Sequence, residues 1–439
     1  MTDLPRGWEL KALGQIAHLQ AGSTPKGVLT APPGEIPFYK VGDMNQSAGH
    51  FMDEARVTVT RATAESLGLR VCPAGTVIFP KVGGALHTNK KRVISQPAAF
   101  DTNTMGAIPS DAVYAPFLFY WLSSIRLADF AYGAPIPQVS RSRLSSHALM
   151  LPPWAEQERI VAAIEERFSR LDAGIDALRR LPKRLDGMRR TLLAAMVASE
   201  WPTAPLQEVA ETRLGKMLSR KSKTGSGELP YLRNQNVQWG RFDLRDVSVM
   251  NFDSDELERF RLEAGDLLVC EGGVVGRCAV WEGQLPQCYY QKALHRVRPS
   301  AAVRAKWIAM VLEHFAHEGL LATHSGGITI QHLPQEDLRR LAIPLPPLHD
   351  QDEMISRLEA YAAISDVTKA LLIKSEQRAR TLRSAVLGCA FLGKLVPQDP
   401  NDEPASVLLE RTATELTTSN GHNATGVRKP RVAKPKLPA

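Results

Sequence analysis

Residues 151–202, LPPWAEQERIVAAIEERFSRLDAGIDALRRLPKRLDGMRRTLLAAMVASEWP, return at residues 345–397 as LPPLHDQDEMISRLEAYAAISDVTKALLIKSEQRARTLRSAVLGCAFLGKLVP. The copies align without a gap: Pro152 and Pro153 fall on Pro346 and Pro347, Gln157 on Gln351, and Leu192 and Leu193 on Val386 and Leu387. A repeat of this length implies duplication. In the first copy apolar residues stand at Val161, Ile164, Phe168, Leu171, Ile175, Leu178, Leu185, Met188 and Leu192, mostly in alternating steps of three and four, the spacing of a coiled-coil seam. The Pro-Pro pair opposes helix in the residue before it and sets the start, while Glu156 and Glu158 suit the positive end of the helix dipole. Pro182 would cost an unbroken helix about 3 kcal/mol, so a kink is expected there. In the second copy Ile355, Leu358, Ala362, Leu372, Leu382 and Val386 keep the seam, whereas Ser365 and Lys369 break it.

The stretches outside the repeat also match each other. WELKALGQIA (8–17) echoes WPTAPLQEVA (201–210), IPFYKVGDMN (36–45) echoes LPYLRNQNVQ (229–238), and CPAGTVIF (72–79) echoes LEAGDLLV (262–269), the last pair reading as strands after an Ala-Gly turn. Short strands between Gly and Pro turns, with helical pieces at 115–131 and 304–321, predict an α+β fold. The expected organisation is a first domain over 1–150, a long helix over 151–202, a similar domain over 203–344, a second long helix over 345–397, and a largely disordered basic tail over 398–439 with a short helix near 405–416. A helix of about 45 residues is about 67 Å long, and a domain of about 140 residues is roughly 40 Å across. The second domain cannot span a helix length, so the helices are expected to pack as an antiparallel coiled coil with the domains at opposite ends, related by a pseudo-twofold axis.

The 439 residues suffice for two or three domains with their own cores. With 44% hydrophobic and 23% charged residues the composition is that of a soluble protein. No run of 18 apolar residues and no leader-like N-terminus occurs, so a cytoplasmic location without a membrane partner is expected. An odd set of five cysteines reads as reduced thiols. Of the net charge of +8, five charges (Arg428, Lys429, Arg431, Lys434 and Lys436) belong to the tail, so a nucleic-acid footprint must come from local clusters.

Catalytic patterns are near misses. Gly388 to Leu395 has P-loop spacing but ends in Leu where a magnesium-binding hydroxyl is needed. LPPW (151–154) offers Leu151 where an amino-methyltransferase needs an acceptor, and Gly272, Gly273 and Gly276 do not form a GxGxxG loop. Cys270, Cys278, Cys288 and His295 lack the CxxC spacing of a structural zinc site. Neither a catalytic group nor a metal ligand is therefore assigned.

Residues suited to duplex DNA do cluster. Lys and Arg neutralise phosphates, Arg pairs with guanine, and Asn or Gln pairs with adenine. In the first domain the candidates are Thr24, Lys26, Lys40, Lys81, Asn89, Lys90, Lys91, Arg92, Gln138, Arg141 and Arg143. In the second they are Ser219, Arg220, Lys221, Lys223, Arg233, Asn234, Gln235, Asn236, Arg277, Gln331 and His332. The amide run Asn234 to Asn236 behind Arg233 is the favoured candidate for base reading.

LPPWAEQERIV and LPPLHDQDEMI resemble the opening of the repeat helices of type I restriction-modification specificity subunits, and LLAAMVASEW and AVLGCAFLGKL resemble the matching helix ends. Asp350 stands where that family usually has Glu. The resemblance spans roughly residues 1–397. It implies a non-catalytic subunit with two target-recognition domains, each reading half of a split site in double-stranded DNA, and a helical ruler that docks two methyltransferase subunits. It also implies restriction subunits as partners, no cofactor on this chain, S-adenosylmethionine on the methyltransferase subunits, and ATP and Mg on the restriction subunits. A self-contained methyltransferase with drifted motifs and a coiled-coil scaffold that binds no DNA are the rival expectations.

Overall fold

The computed structural model describes residues 4–47, 49–52, 54–198, 200–218, 228–321 and 332–412. The chain forms two compact units, one of Met1–Ile175 with Ser375–Ala439 and one of Asp176–Lys374. Each unit thus takes part of both long helices.

Unit 1 is built on a sheet whose strands run, in spatial order, Ala17–Ala21, Thr104–Pro109, Val77–Pro80, Arg92–Ile94 and Phe51–Met52. The first four pair antiparallel, and the last lies parallel to Arg92–Ile94. A second sheet sets Ile36–Tyr39 between Thr58–Val59 and the parallel strand Ala99–Phe100. Glu9–Ala12 pairs with Ala148–Leu151, tying the start of the globular part to its end. Unit 2 repeats the plan. Ala210–Leu214, Leu294–Pro299 and Leu267–Cys270 pair in the order of their unit 1 counterparts and Cys278–Val280 closes the sheet. Glu228–Leu232 has one antiparallel and one parallel neighbour, and Thr203–Pro205 meets Ala342–Pro344. The two Ala-Gly turns read from sequence hold Gly75 at φ +84° and Gly265 at φ +96°, where a side chain would be strained.

The repeated glutamine is a buried fastener. Gln157 Oε1 accepts from the Tyr114 backbone N–H at 2.8 Å, and its Nε2 donates to the carbonyls of Ala112 at 3.0 Å and Pro152 at 3.1 Å. Gln351 does the same in unit 2, accepting from the Arg304 N–H at 2.8 Å and donating to the carbonyls of Ala302 at 3.3 Å and Pro346 at 2.8 Å. Each side chain therefore satisfies the N-cap N–H of the helix that follows it in space, Ala115–Ser124 or Ala305–His317, and binds that helix to the long one.

The long helices are Trp154–Val197 and Leu348–Phe391. Helix runs through Pro182 without interruption; the proline costs one hydrogen bond, which the surrounding turns outweigh. In unit 1, Arg383 pairs with Asp172 and lies 4.9 Å from the centre of the Phe168 ring. In unit 2, Ser365 Oγ donates to Asp186 at 3.1 Å and Lys369 lies 3.9 Å from the same carboxylate. Within unit 1 the first helix runs back from Asp172 to Arg159 as the chain of the second runs on from Arg383 to Asp402, so the pair is antiparallel there.

The seam differs in part from the sequence reading. Val161, Ile164 and Phe168 are buried in the unit 1 core, Ile355 and Leu358 in the unit 2 core, and Leu171, Ile175, Leu178 and Leu372 are half-buried. Leu382, assigned to the seam, is 51% exposed, and so is Met188 at 52%. The neighbouring Arg383 takes the inward position beside Phe168, flanked by buried Ala379 and by Leu387, which shifts the register by one residue. Ser365 is buried after all, because its hydroxyl bonds Asp186.

Residues 398–412 belong to unit 1 and include a short helix in the region where the sequence suggested one. Asp402 accepts from the Arg159 guanidinium at 3.2 Å, the Ala405 N–H donates to the Gly7 carbonyl at 2.9 Å, and Ala405 is 1% exposed. Residues 405–412 are helical, while the cationic residues from Arg428 to Lys436 lie outside the described residues.

Candidate nucleic-acid interface

In unit 1 the DNA candidates separate into scaffold and surface. Asn89 has φ +51°, and its side chain donates to the Ile125 carbonyl at 3.0 Å while accepting from the Leu127 N–H at 2.9 Å. Lys91, 3% exposed, donates to the same carbonyl at 2.9 Å. Arg92 donates to the carbonyls of Lys91 at 2.8 Å and Ser47 at 3.3 Å. Asn89 and Lys91 thus brace the loop onto the end of helix Ala115–Ser124, and Arg92 ties it to Ser47, so all three side chains are committed to backbone groups of unit 1. Outward lie Thr24, which accepts from the Thr102 N–H at 3.1 Å, with Lys26, Arg141 and Arg143. Lys40, Lys81 and Gln138 are half-buried, as is Lys90, whose ammonium meets Asn45.

Burial without a counter-charge pushes the Lys91 ammonium down to about 7 from an ordinary 10.5. Between those values the unfolded chain holds a proton that folded unit 1 lacks, so stability rises with pH across the window, by up to about 1.4 kcal/mol per pH unit. Replacing Lys91 by Met is expected to stabilise unit 1 at neutral pH and remove this rise. Denaturant midpoints measured from pH 7 to 10 check it, and an unchanged slope would contradict the assignment.

Unit 2 spends its amide run on a turn. Asn236, 2% exposed, accepts from the Arg233 N–H at 2.9 Å and donates to the carbonyls of Asp243 and Asp246, both at 2.9 Å. Asn234 Nδ2 donates to the Gly272 carbonyl at 3.1 Å, and the Asn234 carbonyl accepts from Arg277 at 2.8 Å. Arg233 and Gln235 both reach Asp246, each at 2.9 Å. The favoured base-reading run is thus mostly scaffold: only Gln235 is exposed, as is His332. Ser219, Arg220, Lys221, Lys223 and Gln331 lie outside the described residues.

The thiols of Cys270, Cys278 and Cys288 reach three different carbonyls, and buried His295 contacts the Leu333 carbonyl at 2.9 Å. No group of three His, Cys, Asp or Glu side chains suited to a metal occurs among the described residues. No described helix is long and apolar enough to cross a membrane.

Sequence reasoning missed an exposed hairpin in unit 1, Ala131–Tyr132 paired with Gln138–Val139, beside a shallow cleft lined by Tyr132, Ser140, Arg141, Ser142 and Ser145. Its available signal was a charge-free run, 131–137, between two polar stretches.

One topology used twice, with loops that differ in chemistry, defines a duplicated recognition module. The model of the type I restriction modification DNA specificity domain matches the chain twice, at residues 5–185 and 198–377, and the chain belongs to that family of specificity subunits. It is 22% identical to the EcoKI specificity subunit of Escherichia coli K12, over 96% of this chain and 98% of that one. It is 23% identical to the StySPI specificity subunit of Salmonella potsdam, over 67% and 70%. The HsdS subunit from Thermoanaerobacter tengcongensis superposes with a TM-score of 0.61 at 20% identity, over 89% of this chain and 98% of that one. A chain from a structure describing complex assembly and conformational transition of the type I R-M system gives 0.67 at 19%, over 90% and 100%.

Proposed function

We propose that this chain selects the DNA sequence for a type I restriction-modification complex and leaves the chemistry to other subunits. Each unit reads one half of a bipartite site in double-stranded DNA. The paired helices set the unread spacer and dock two methyltransferase subunits, with restriction subunits joining the complex. S-adenosylmethionine belongs to the methyltransferase subunits, and ATP and Mg to the restriction subunits. The observation that carries this reading is the repeated strand order with divergent loops: a constant frame with variable contact residues suits one task performed twice on different sequences. Docking is supported by Ile364, Val367 and Leu371 in unit 2, spaced three and four apart on the second helix and each more than half exposed.

Phosphate contact falls to the exposed cations. Arg141→Ala in the assembled complex is expected to weaken binding to specific and scrambled duplexes alike and to reduce the slope of log affinity against log salt by about one unit. An unaltered slope would remove Arg141 from the footprint. Methylation of DNA by the isolated chain supplied with S-adenosylmethionine would contradict the division of labour.

A further inference from the structure

Residues 131–137 of unit 1, Ala-Tyr-Gly-Ala-Pro-Ile-Pro, contain no charged side chain, and residues 132–136 are all exposed. Tyr132 is 56% and Ile136 65% exposed. Such apolar surface in water gains nothing for folding. The hairpin beneath it is nevertheless firmly braced. Ala131 pairs with Val139 and Tyr132 with Gln138, the Gly83 N–H donates to the Pro137 carbonyl at 2.8 Å, and the Val139 N–H donates to the Lys81 carbonyl at 2.9 Å. Arg143 donates to the carbonyls of Ala131 and Asp129, both at 3.2 Å. An apolar tip is thus presented on a fixed base, and the Tyr132 side of it opens onto the cleft holding Arg141 and the three serines.

We propose that this hairpin is a wedge that opens a base step in the half-site facing unit 1. Ile136 enters the step, Tyr132 stacks on the base it uncovers, and Arg141 neutralises the flanking phosphate with the hydroxyls of Ser140, Ser142 and Ser145 beside it. Apolar side chains inserted between base pairs unstack them, and aromatic rings then recover part of the stacking energy. The exposed Arg141 guanidinium next to the tip favours DNA as its occupant over an apolar protein surface, which would bury that charge without a counter-ion. The proposal rests on the reading of unit 1 as a DNA-binding unit and adds deformation of the duplex to it.

The test uses the full chain assembled with its methyltransferase partners, on duplexes carrying 2-aminopurine at single positions through the half-site. Fluorescence is expected to rise at one step with the native chain and to lose that rise with Ile136→Ser combined with Tyr132→Ser. Specific binding should weaken about 5- to 150-fold, as expected for the loss of a stacked base, with assembly and scrambled-duplex binding retained. Fluorescence that is the same in variant and native complexes overturns the wedge, as does a variant that fails to assemble, which would make the tip a protein contact. Native complex that binds specific and scrambled duplexes equally would instead refute the reading of unit 1 as a DNA reader, and the wedge with it.

Discussion

Gln157→Leu is expected to remove about 3–9 kcal/mol from the stability of unit 1, a large share of the roughly 5–15 kcal/mol that holds a domain together. Leucine approximates the volume but cannot replace three hydrogen bonds made where no water enters. It strands the Tyr114 N–H and the carbonyls of Ala112 and Pro152, and each buried orphan costs about 1–3 kcal/mol. Gln351→Leu should do the same in unit 2 through the Arg304 N–H and the carbonyls of Ala302 and Pro346. Hydrogen exchange separates the two: the Tyr114 amide loses protection in the first variant, the Arg304 amide in the second. Protection at Tyr114 that survives Gln157→Leu would show that the glutamine is not the fastener.

That glutamine was visible in the sequence as a repeated letter, but its task was not. The repeat, the Pro-Pro helix starts and the three-four spacing fixed two long helices, because periodicity and proline restrictions act locally. What failed depended on neighbours. Leu382 and Ser365 exchanged their expected environments because Arg383 can set its guanidinium over the Phe168 ring and because Asp186 offers Ser365 an acceptor, and hydropathy records neither.

The interface was harder to read, for a chemical reason. The amides and cations that recognise bases and phosphates also cap turns and helix ends. Asn236 and Asn89 satisfy backbone groups of their own chain, and Lys91 caps the end of a helix. The composition of such a loop is the same in either use. The exposed tip at Tyr132 and Ile136 carries no polar signature at all, and its exposure became apparent only from the fold around it.

The second large effect concerns specificity. Glu9–Ala12 and Ala148–Leu151 pair with each other, so residues 4–151 can be exchanged as a block without cutting a strand ladder of unit 1. If the block carries one reading surface, its replacement by the equivalent block of a relative with another target should transplant one half-site. Each mismatched base pair costs a specific complex about 1–3 kcal/mol, nearly additively, so a half-site differing at three positions shifts discrimination by roughly 3–9 kcal/mol. That is enough to redirect methylation completely.

Mapping methylated bases in cells that carry this exchanged chain with its partner subunits measures the outcome directly. The account predicts a bipartite site with one half replaced and with the other half and the spacer length unchanged. A site altered in both halves, or in neither, would contradict it.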